Sequence, residues 1–266
     1  MHNIKLIATD LDGTLLNNDS EISDYNRDVL KYCINNGIEL ILASGRPFDG
    51  LKRYNKYLDN NNYSIVCNGS VITDSEGNIV YNEVIKEKDV FYLMDIAKSY
   101  DVYLHVYNGN QYIVSEEDIY FKNYAKKENI TDVVVGFDSI DNYNFSKMLF
   151  IGENNVLSNL ENYIREKLDV HTSFSHPNFL EVLASGINKG SALKWLCDKK
   201  GIDRENVIAF GDNYNDIEMI EFAGMGVAME NAEDILKQRA DYIALTNEND
   251  GLGRFLKEII NLWIII

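Results

Sequence analysis

Cysteine is scarce in this 266-residue chain: Cys33, Cys67 and Cys197 stand far apart and are odd in number. That spacing argues against a disulfide framework and against a cysteine-built zinc site. It reads instead as small buried residues in a reducing compartment. Basic residues are also in short supply, 25 Lys and Arg against 42 Asp and Glu, for a net charge of −17. With no basic tract, neither a nucleic-acid backbone nor an anionic membrane surface is an expected partner. No apolar run approaches the ~20 residues that a membrane-spanning helix needs. The most apolar stretch, Ile259-Ile260-Asn261-Leu262-Trp263-Ile264-Ile265-Ile266, reads as the buried end of a terminal helix or, second, as an interface patch. Met1-His2-Asn3-Ile4-Lys5 leads directly into a strand and lacks a signal peptide's apolar stretch and cleavage site, so a cytoplasmic protein is expected. Internal repeats and low-complexity linkers are lacking too.

What is present is an ordinary globular mixture, 45% hydrophobic and 25% charged, long enough for one large domain or two modest ones. Strand and helix alternate at first. Ile4–Thr9, Ile38–Ala43 and Ser64–Cys67 are continuous apolar strands, and Ile22–Asn36 carries a helical stripe closed by Gly37. Such strands, separated by helices, indicate a parallel sheet covered on both faces. Val71–Thr73 and Ile79–Tyr81 flank a hairpin-like turn. From about residue 83 the texture changes. Helices are expected over Lys88–Tyr100, Glu117–Lys127 and Val156–Leu168. Strands are expected at Val102–Tyr107, Gln111–Ser115, Asp132–Val135, Ser146–Ile151, Val170–Ser175 and Phe179–Ala184. Short turns between adjacent strands favour a mostly antiparallel sheet. After residue 187 the alternation returns, with strands at Val207–Phe210 and Gly226–Met229.

The chemistry concentrates at strand ends. Asp10-Leu11-Asp12-Gly13-Thr14 follows the first strand. Period-two alternation puts Asp10 and Asp12 on one side, and Gly13 lets the chain turn away at once. Two carboxylates so close need a cation or a shared proton, although an Asp-rich surface turn would look the same in isolation. Leu42-Ala43-Ser44-Gly45-Arg46 ends the second strand with a hydroxyl and exposed backbone N–H groups that suit phosphate oxygens; a plain Ser N-cap is the competing reading. Asn188-Lys189-Gly190 opens a helix with a lysine that opposes the macrodipole unless an anion is near, or that is simply a solvated surface lysine. Gly211-Asp212-Asn213-Tyr214-Asn215-Asp216 offers two carboxylates suited to a hard divalent cation; a helix cap would not account for Asp216 as well. Cys67-Asn68-Gly69 reads as a plain turn.

These strand ends should share one edge of one parallel sheet, where open α/β sheets bind ligands. The economical arrangement is an α/β, Rossmann-like parallel-sheet core with helices on both faces, residues 1–82 and 187–266, interrupted by an inserted α+β cap at 83–186. Taken together, the chain resembles the Cof-type phosphatases, a branch of the haloacid dehalogenase-like superfamily with a large type II cap. The resemblance covers essentially the whole chain and does not identify a substrate. It implies that Asp10 is the nucleophile and Asp12 the general acid/base. It implies that Ser44 and Lys189 hold the phosphoryl group, with backbone groups of Leu11 and Gly45 and with Asn215 nearby. It further implies that Asp10, the Asp12 backbone carbonyl and Asp212 hold Mg²⁺, supported by Asp216.

The expected activity is Mg²⁺-dependent hydrolysis of a small phosphorylated metabolite, a sugar phosphate or similar, through an aspartyl-phosphate. The alternatives are a phosphosugar mutase and a non-catalytic Mg²⁺/phosphate-binding regulator. A monomer or weak homodimer is expected, with no nucleic-acid or membrane partner. Cap residues such as His105, His171, His176 and Asn178 are candidates to reach the substrate, but none is assigned a role.

Overall fold

The computed structural model describes residues 4–100, 102–117, 119, 121–122, 133–137 and 140–260. Strands β1 (Leu6–Thr9), β2 (Glu39–Ala43), β3 (Ser64–Val66), β4 (Val71–Thr73) and β5 (Ile79–Asn82) begin the first sheet. The chain then builds β6 (Tyr103–Asn108), β7 (Gln111–Val114), β8 (Val133–Val135), β9 (Lys147–Ile151), β10 (Val170–His176) and β11 (Phe179–Ala184) as a second, separate sheet. It returns to the first sheet with β12 (Val207–Gly211), β13 (Met225–Met229) and β14 (Tyr242–Ala244). The first sheet has eight strands in the order β14-β13-β12-β1-β2-β3-β4-β5 and the second has six in the order β10-β11-β9-β6-β7-β8.

In the first sheet, β14 through β3 run parallel and only the β3-β4-β5 end is antiparallel. β1, β12 and β13 are buried along their whole length, as continuous apolar runs require when helices cover both faces. Helix Asp24–Asn35 packs against Gly251–Ile259 and Phe48–Leu58, whereas Lys189–Lys200 packs against Ile217–Phe222. The first of these helices starts later than its apolar stripe. Ser23 Oγ accepts the Asn26 N–H at 3.1 Å and caps it, and Gly37 follows its end at φ +82°.

The second sheet is antiparallel except where β8 runs parallel to β7. Its alternation sorts side chains cleanly. Val106, Ile113, Met148, Phe150, Leu180 and Val182 face a separate apolar cluster shared with helices Glu87–Tyr100 and Asn154–Lys167. Tyr107, Tyr112, Leu149 and Ile151, on the opposite face, join the cluster of the first sheet.

The expected helix near 117–127 and the end of the apolar terminus, 261–266, lie largely or wholly outside the described residues. The edge strand β14 was not among the expected strands; it is three residues long, with Tyr242 and Ile243 exposed. The cysteine expectation holds. All three thiols are free and buried, and burial pushes Cys33 and Cys67 up to about 12.

The turn Cys67-Asn68-Gly69 is held in a left-handed backbone, with Gly69 at φ +99°. A Cβ on Gly69 would stand 2.2 Å from the Asn188 carbonyl oxygen. Gly69→Ala should therefore destabilise the protein by more than about 1 kcal/mol, combining backbone strain with a backbone clash. Urea unfolding monitored by circular dichroism should show a lower midpoint at unchanged slope.

Candidate active site

The strand order reverses between β1 and β12, and both strands leave the sheet at the same edge. The Asp10 N–H donates to the Phe210 carbonyl at 3.0 Å, so the ladder holds the first acidic residue beside Gly211 and Asp212. Beyond Asp10 the chain coils tightly, with the Leu11 carbonyl accepting N–H groups from Leu15 at 3.1 Å and Leu16 at 2.8 Å. Gly13, at φ +81°, is required there, because a Cβ would lie 2.4 Å from Asp212 Oδ2. Thr14 Oγ1 then donates to Asp212 Oδ1 at 2.9 Å, fastening the two loops together.

Helix Lys189–Lys200 delivers the lysine. Asn188 Oδ1 accepts the Ser191 N–H at 2.8 Å while Ser191 Oγ accepts the Asn188 N–H at 3.0 Å, a reciprocal cap that fixes the helix start. Lys189, the first helical residue, is wholly buried. Its Nζ donates to Asp10 Oδ1 at 2.6 Å and Asp216 Oδ1 at 2.7 Å. The other Asp216 oxygen accepts the backbone N–H groups of Asp212 at 3.0 Å and Asn213 at 3.1 Å. One oxygen from each of Asp10, Asp212 and Asp216 lies within 4.8 Å of the others.

The Ser44-Gly45-Arg46 segment forms the next wall. Ser44 Oγ accepts the Arg46 N–H at 3.2 Å. Arg46 grips Asp12 as a fork, Nε to Oδ2 at 2.8 Å and Nη2 to Oδ1. The Asp12 side chain is 51% exposed although its arginine partner is buried. Asn215 Nδ2 donates to Asn68 Oδ1 at 3.0 Å, which brings the Cys67–Gly69 turn into the same network.

The second sheet closes the top. Lys147 Nζ donates to the Gly45 carbonyl at 2.6 Å and lies 3.1 Å from Glu181 Oε2. Glu181 in turn accepts from Asn68 Nδ2 and, at 2.6 Å, from Ser175 Oγ. Between the sheets lies a cavity of about 470 Å³.

Asp10, Asp12, Ser44, Gly45, Asp212 and Asn215 line that cavity together. Lys189 and Asp216 lie behind its wall, completely buried, with Lys189 bonded to both Asp10 and Asp216. Leu11 is buried, its carbonyl used by the turn. The surface-lysine reading of Lys189 is excluded by its burial. The plain-turn reading of Cys67-Asn68-Gly69 is too bland, since Asn68 bonds to both Asn215 and Glu181. Arg46, Asn68, Lys147 and Glu181 went unrecognised as site residues in the sequence. Arg46 stood inside a quoted motif, whereas the charged pair gave itself away only by falling on inward strand positions. Among the cap candidates, His105 and His176 line the cavity; His171 and Asn178 do not.

Burial raises the Asp10 carboxyl well above its usual range. Lys189 opposes this and Asp216, Asp212 and Asp12 reinforce it. Asp212 is pushed up to about 7, again by burial first and then by Asp216. Burial alone would lower the Lys189 ammonium, but Asp10 and Asp216 outweigh it and raise it.

A family model described as haloacid dehalogenase-like hydrolase matches residues 7–256. The chain is 33% identical over 265 residues to a Bacillus subtilis (strain 168) protein named 5-amino-6-(5-phospho-D-ribitylamino)uracil phosphatase YcsE, covering 98% of this chain and 96% of that one. It is 34% identical over 274 residues to a second protein from that organism with the same activity in its name, YitU, covering 97% and 98% respectively. The crystal structure of a haloacid dehalogenase-like hydrolase from Bacteroides thetaiotaomicron superposes with a TM-score of 0.84 at 34% identity, covering 96% of this chain and 99% of that one.

Two outcomes follow from this electrostatic arrangement. Lys189→Met leaves Asp10 and Asp216 buried without their counter-charge and should cost about 3–5 kcal/mol in chemical denaturation. Asp212→Asn should raise the melting temperature of metal-free protein. The folded pKa of about 7 lies above the unfolded value of 3.8, so the folded state loses stability as pH rises between them. The gain from Asp212→Asn should be fullest above that window and fade as pH falls through it. Calorimetry in chelator across the range measures it, and a gain independent of pH would contradict the assignment.

Proposed function

Because the chain belongs to the haloacid dehalogenase-like hydrolase family, we propose that it is a Mg²⁺-dependent phosphatase that hydrolyses a small phosphorylated metabolite through an aspartyl-phosphate. One observation carries the reading: Lys189 binds Asp10 and Asp216 at once, beside Asp212, at the ligand-binding edge of the parallel sheet. The names of the two Bacillus subtilis relatives support a small phosphorylated substrate. Residues 83–186 act as a cap over a core of 1–82 and 187–266. No helix among the described residues is long and apolar enough to cross a membrane.

The clustered donors are all carboxylate oxygens, the set a hard divalent cation prefers. Asp10, Asp212 and the Asp12 backbone carbonyl would hold Mg²⁺, with Asp216 in support. When bound, the ion offsets carboxylate and phosphoryl charge. In the reaction, an Asp10 oxygen attacks phosphorus in line and the bond to the leaving oxygen breaks. Asp12 supplies the proton that oxygen needs, then takes one from the water that attacks the aspartyl-phosphate. Inorganic phosphate departs and both carboxyl groups are restored. Ser44, Gly45 and Asn215 hold phosphoryl oxygens, and Lys189 keeps Asp10 aimed and compensated. Charge stabilisation by these fixed groups is the largest catalytic contribution. Arg46 positions the Asp12 carboxylate, and cap closure keeps bulk water from the attack.

Phosphate release from a panel of phosphorylated metabolites, with and without magnesium, is the direct test. Hydrolysis of none of them would revive a non-catalytic role. A sugar-bisphosphate requirement with a long-lived phosphoenzyme would favour a mutase. Asp10→Asn should abolish turnover with the fold intact by circular dichroism; retained activity would remove Asp10 as nucleophile. Mg²⁺ affinity, followed by isothermal titration, should weaken below about pH 7, where a proton on Asp212 competes with the cation.

A further inference from the structure

Asn215 lines the cavity and Asn68 is bonded to it, and chemistry leaves each carboxamide a single orientation. The orientation starts at Glu181, a buried residue of β11 in the second sheet. An ionised carboxylate only accepts hydrogen bonds. Lys147 Nζ lies 3.1 Å from Glu181 Oε2 as its counter-charge, and Ser175 Oγ donates to Oε1 at 2.6 Å. The Asn68 atom that meets Glu181 must therefore be the donor, Nδ2. That turns Asn68 Oδ1 toward Asn215. An amide oxygen also only accepts, so the Asn215 atom facing it at 3.0 Å must again be Nδ2. Carboxylate, amide and amide thus form a directed chain. It begins in the second sheet and ends in the short turn Tyr214–Asp216 that follows β12 in the first.

We infer that Glu181 is a positioning residue for the phosphoryl site: acting through Asn68, it fixes the Asn215 amide as a hydrogen-bond donor to a phosphoryl oxygen. This deepens the phosphatase reading and rests on it. An amide NH₂ group carries two hydrogens. One Asn215 hydrogen is committed to Asn68, and the other has no partner among the described residues. Reversed, the side chain would lose the Asn68 bond and put its oxygen where the NH₂ group now stands, an acceptor beside an anion. The middle member is held stiffly. Asn68 sits at φ +55°, next to Cys67 at φ +50°, and two consecutive non-glycine residues in left-handed backbone are costly to hold. Backbone bonds hold them there: the Asn68 N–H donates to the Ser44 carbonyl and the Cys67 N–H to the Arg46 carbonyl, both at 3.0 Å. The Asn68 amide also abuts Gly45, where an added Cβ would lie 3.1 Å from Oδ1. Because the chain starts in the second sheet, Asn215 is aimed only while that sheet is seated. By linkage, phosphate bound at Asn215 favours the seating.

The test reads the inhibition constant for inorganic phosphate, with Mg²⁺, during hydrolysis of a phosphate monoester; this constant does not depend on how much of the protein is folded. Asn215→Ala should raise it about tenfold, the loss of one hydrogen bond to a charged group. Asn68→Gly suits the left-handed backbone and deletes only the relay, and should raise it about fivefold. Glu181→Met should act in the same direction. Glu181→Gln keeps an oxygen for Asn68 while its NH₂ group donates to Ser175, and should stay within about twofold of the unaltered protein. The decisive comparison is made in an Asn215→Ala background, where Asn68→Gly and Glu181→Met should add nothing. Asn68→Gly leaves the Lys147–Glu181 pair intact, so it decides the matter even if Glu181→Met does not fold. Losses that persist undiminished in that background, or a constant unmoved by Asn68→Gly or by Asn215→Ala, overturn the relay and leave the phosphatase reading standing. Failure of the unaltered protein to hydrolyse any phosphate monoester overturns both.

Discussion

One buried ammonium organises this molecule. Lys189 binds Asp10, which is 179 positions away in the chain, and Asp216, which is 27 away. Without it, burial and mutual repulsion would hold the carboxylates of the strand ends apart or protonated. Two unit charges ~4 Å apart interact by about 4 kcal/mol at an effective dielectric near 20. A buried ion pair of this kind is poor evidence of stability, because desolvation takes back much of the Coulomb gain. What it secures is position. The β1 loop, the β12 loop and the start of one helix are locked around a common point, where the Thr14–Asp212 bond and the close approach at Gly13 fasten the two loops together.

The second sheet is built to face that point. A β-sheet has two faces, and here each has a different occupant. The face toward helices Glu87–Tyr100 and Asn154–Lys167 is aliphatic and phenylalanine-rich, closing a core of its own. The other face presents aromatic rings and a charged pair to the acidic edge. Lys147 and Glu181 reach across to Gly45 and Asn68, so the contact between sheets runs through the Ser44–Arg46 segment and the Cys67–Gly69 turn. Under the proposed mechanism, cap seating and site assembly are therefore the same event.

Much of this was legible in the sequence, and the rest was hidden for physical reasons. Strands β1, β2, β3, β12 and β13 announce themselves as unbroken apolar runs because both faces are covered, and turn glycines mark where they stop. The acidic clusters could be placed on one edge because parallel strands all end on the same side. Asn68 was obscure, since its role depends on contacts with Asn215 and Glu181, 147 and 113 positions away. Lys147 and Glu181 were obscure for the opposite reason: charges in a strand normally mark its solvent side, and only the register of three strands reveals that theirs is enclosed. β14 was missed because an edge strand of three residues with exposed side chains carries no periodic signal.

The contrast between the two carboxylates of the first loop is the last step. Asp10 is 8% exposed at its side chain and Asp12 51%, though only Leu11 separates them. Alternation alone would have put them in the same surroundings; the coil around the Leu11 carbonyl separates them. Under the proposed mechanism Asp10 is the nucleophile; a nucleophile benefits from desolvation, which strips away water that would otherwise have to be displaced, but desolvation also raises its pKa and favours the protonated, unreactive form. Lys189 opposes that rise only in part, since Asp216, Asp212 and Asp12 reinforce it. Asp12, which donates and then accepts a proton under the proposed mechanism, needs the reverse of desolvation: access to solvent, with a partner that fixes its position. The Arg46 fork, buried at its base and open at Asp12, provides this. Under the proposed mechanism the loop tolerates an electrostatically costly resting state because its two carboxylates do different work, and a divalent cation held there would relieve Asp10.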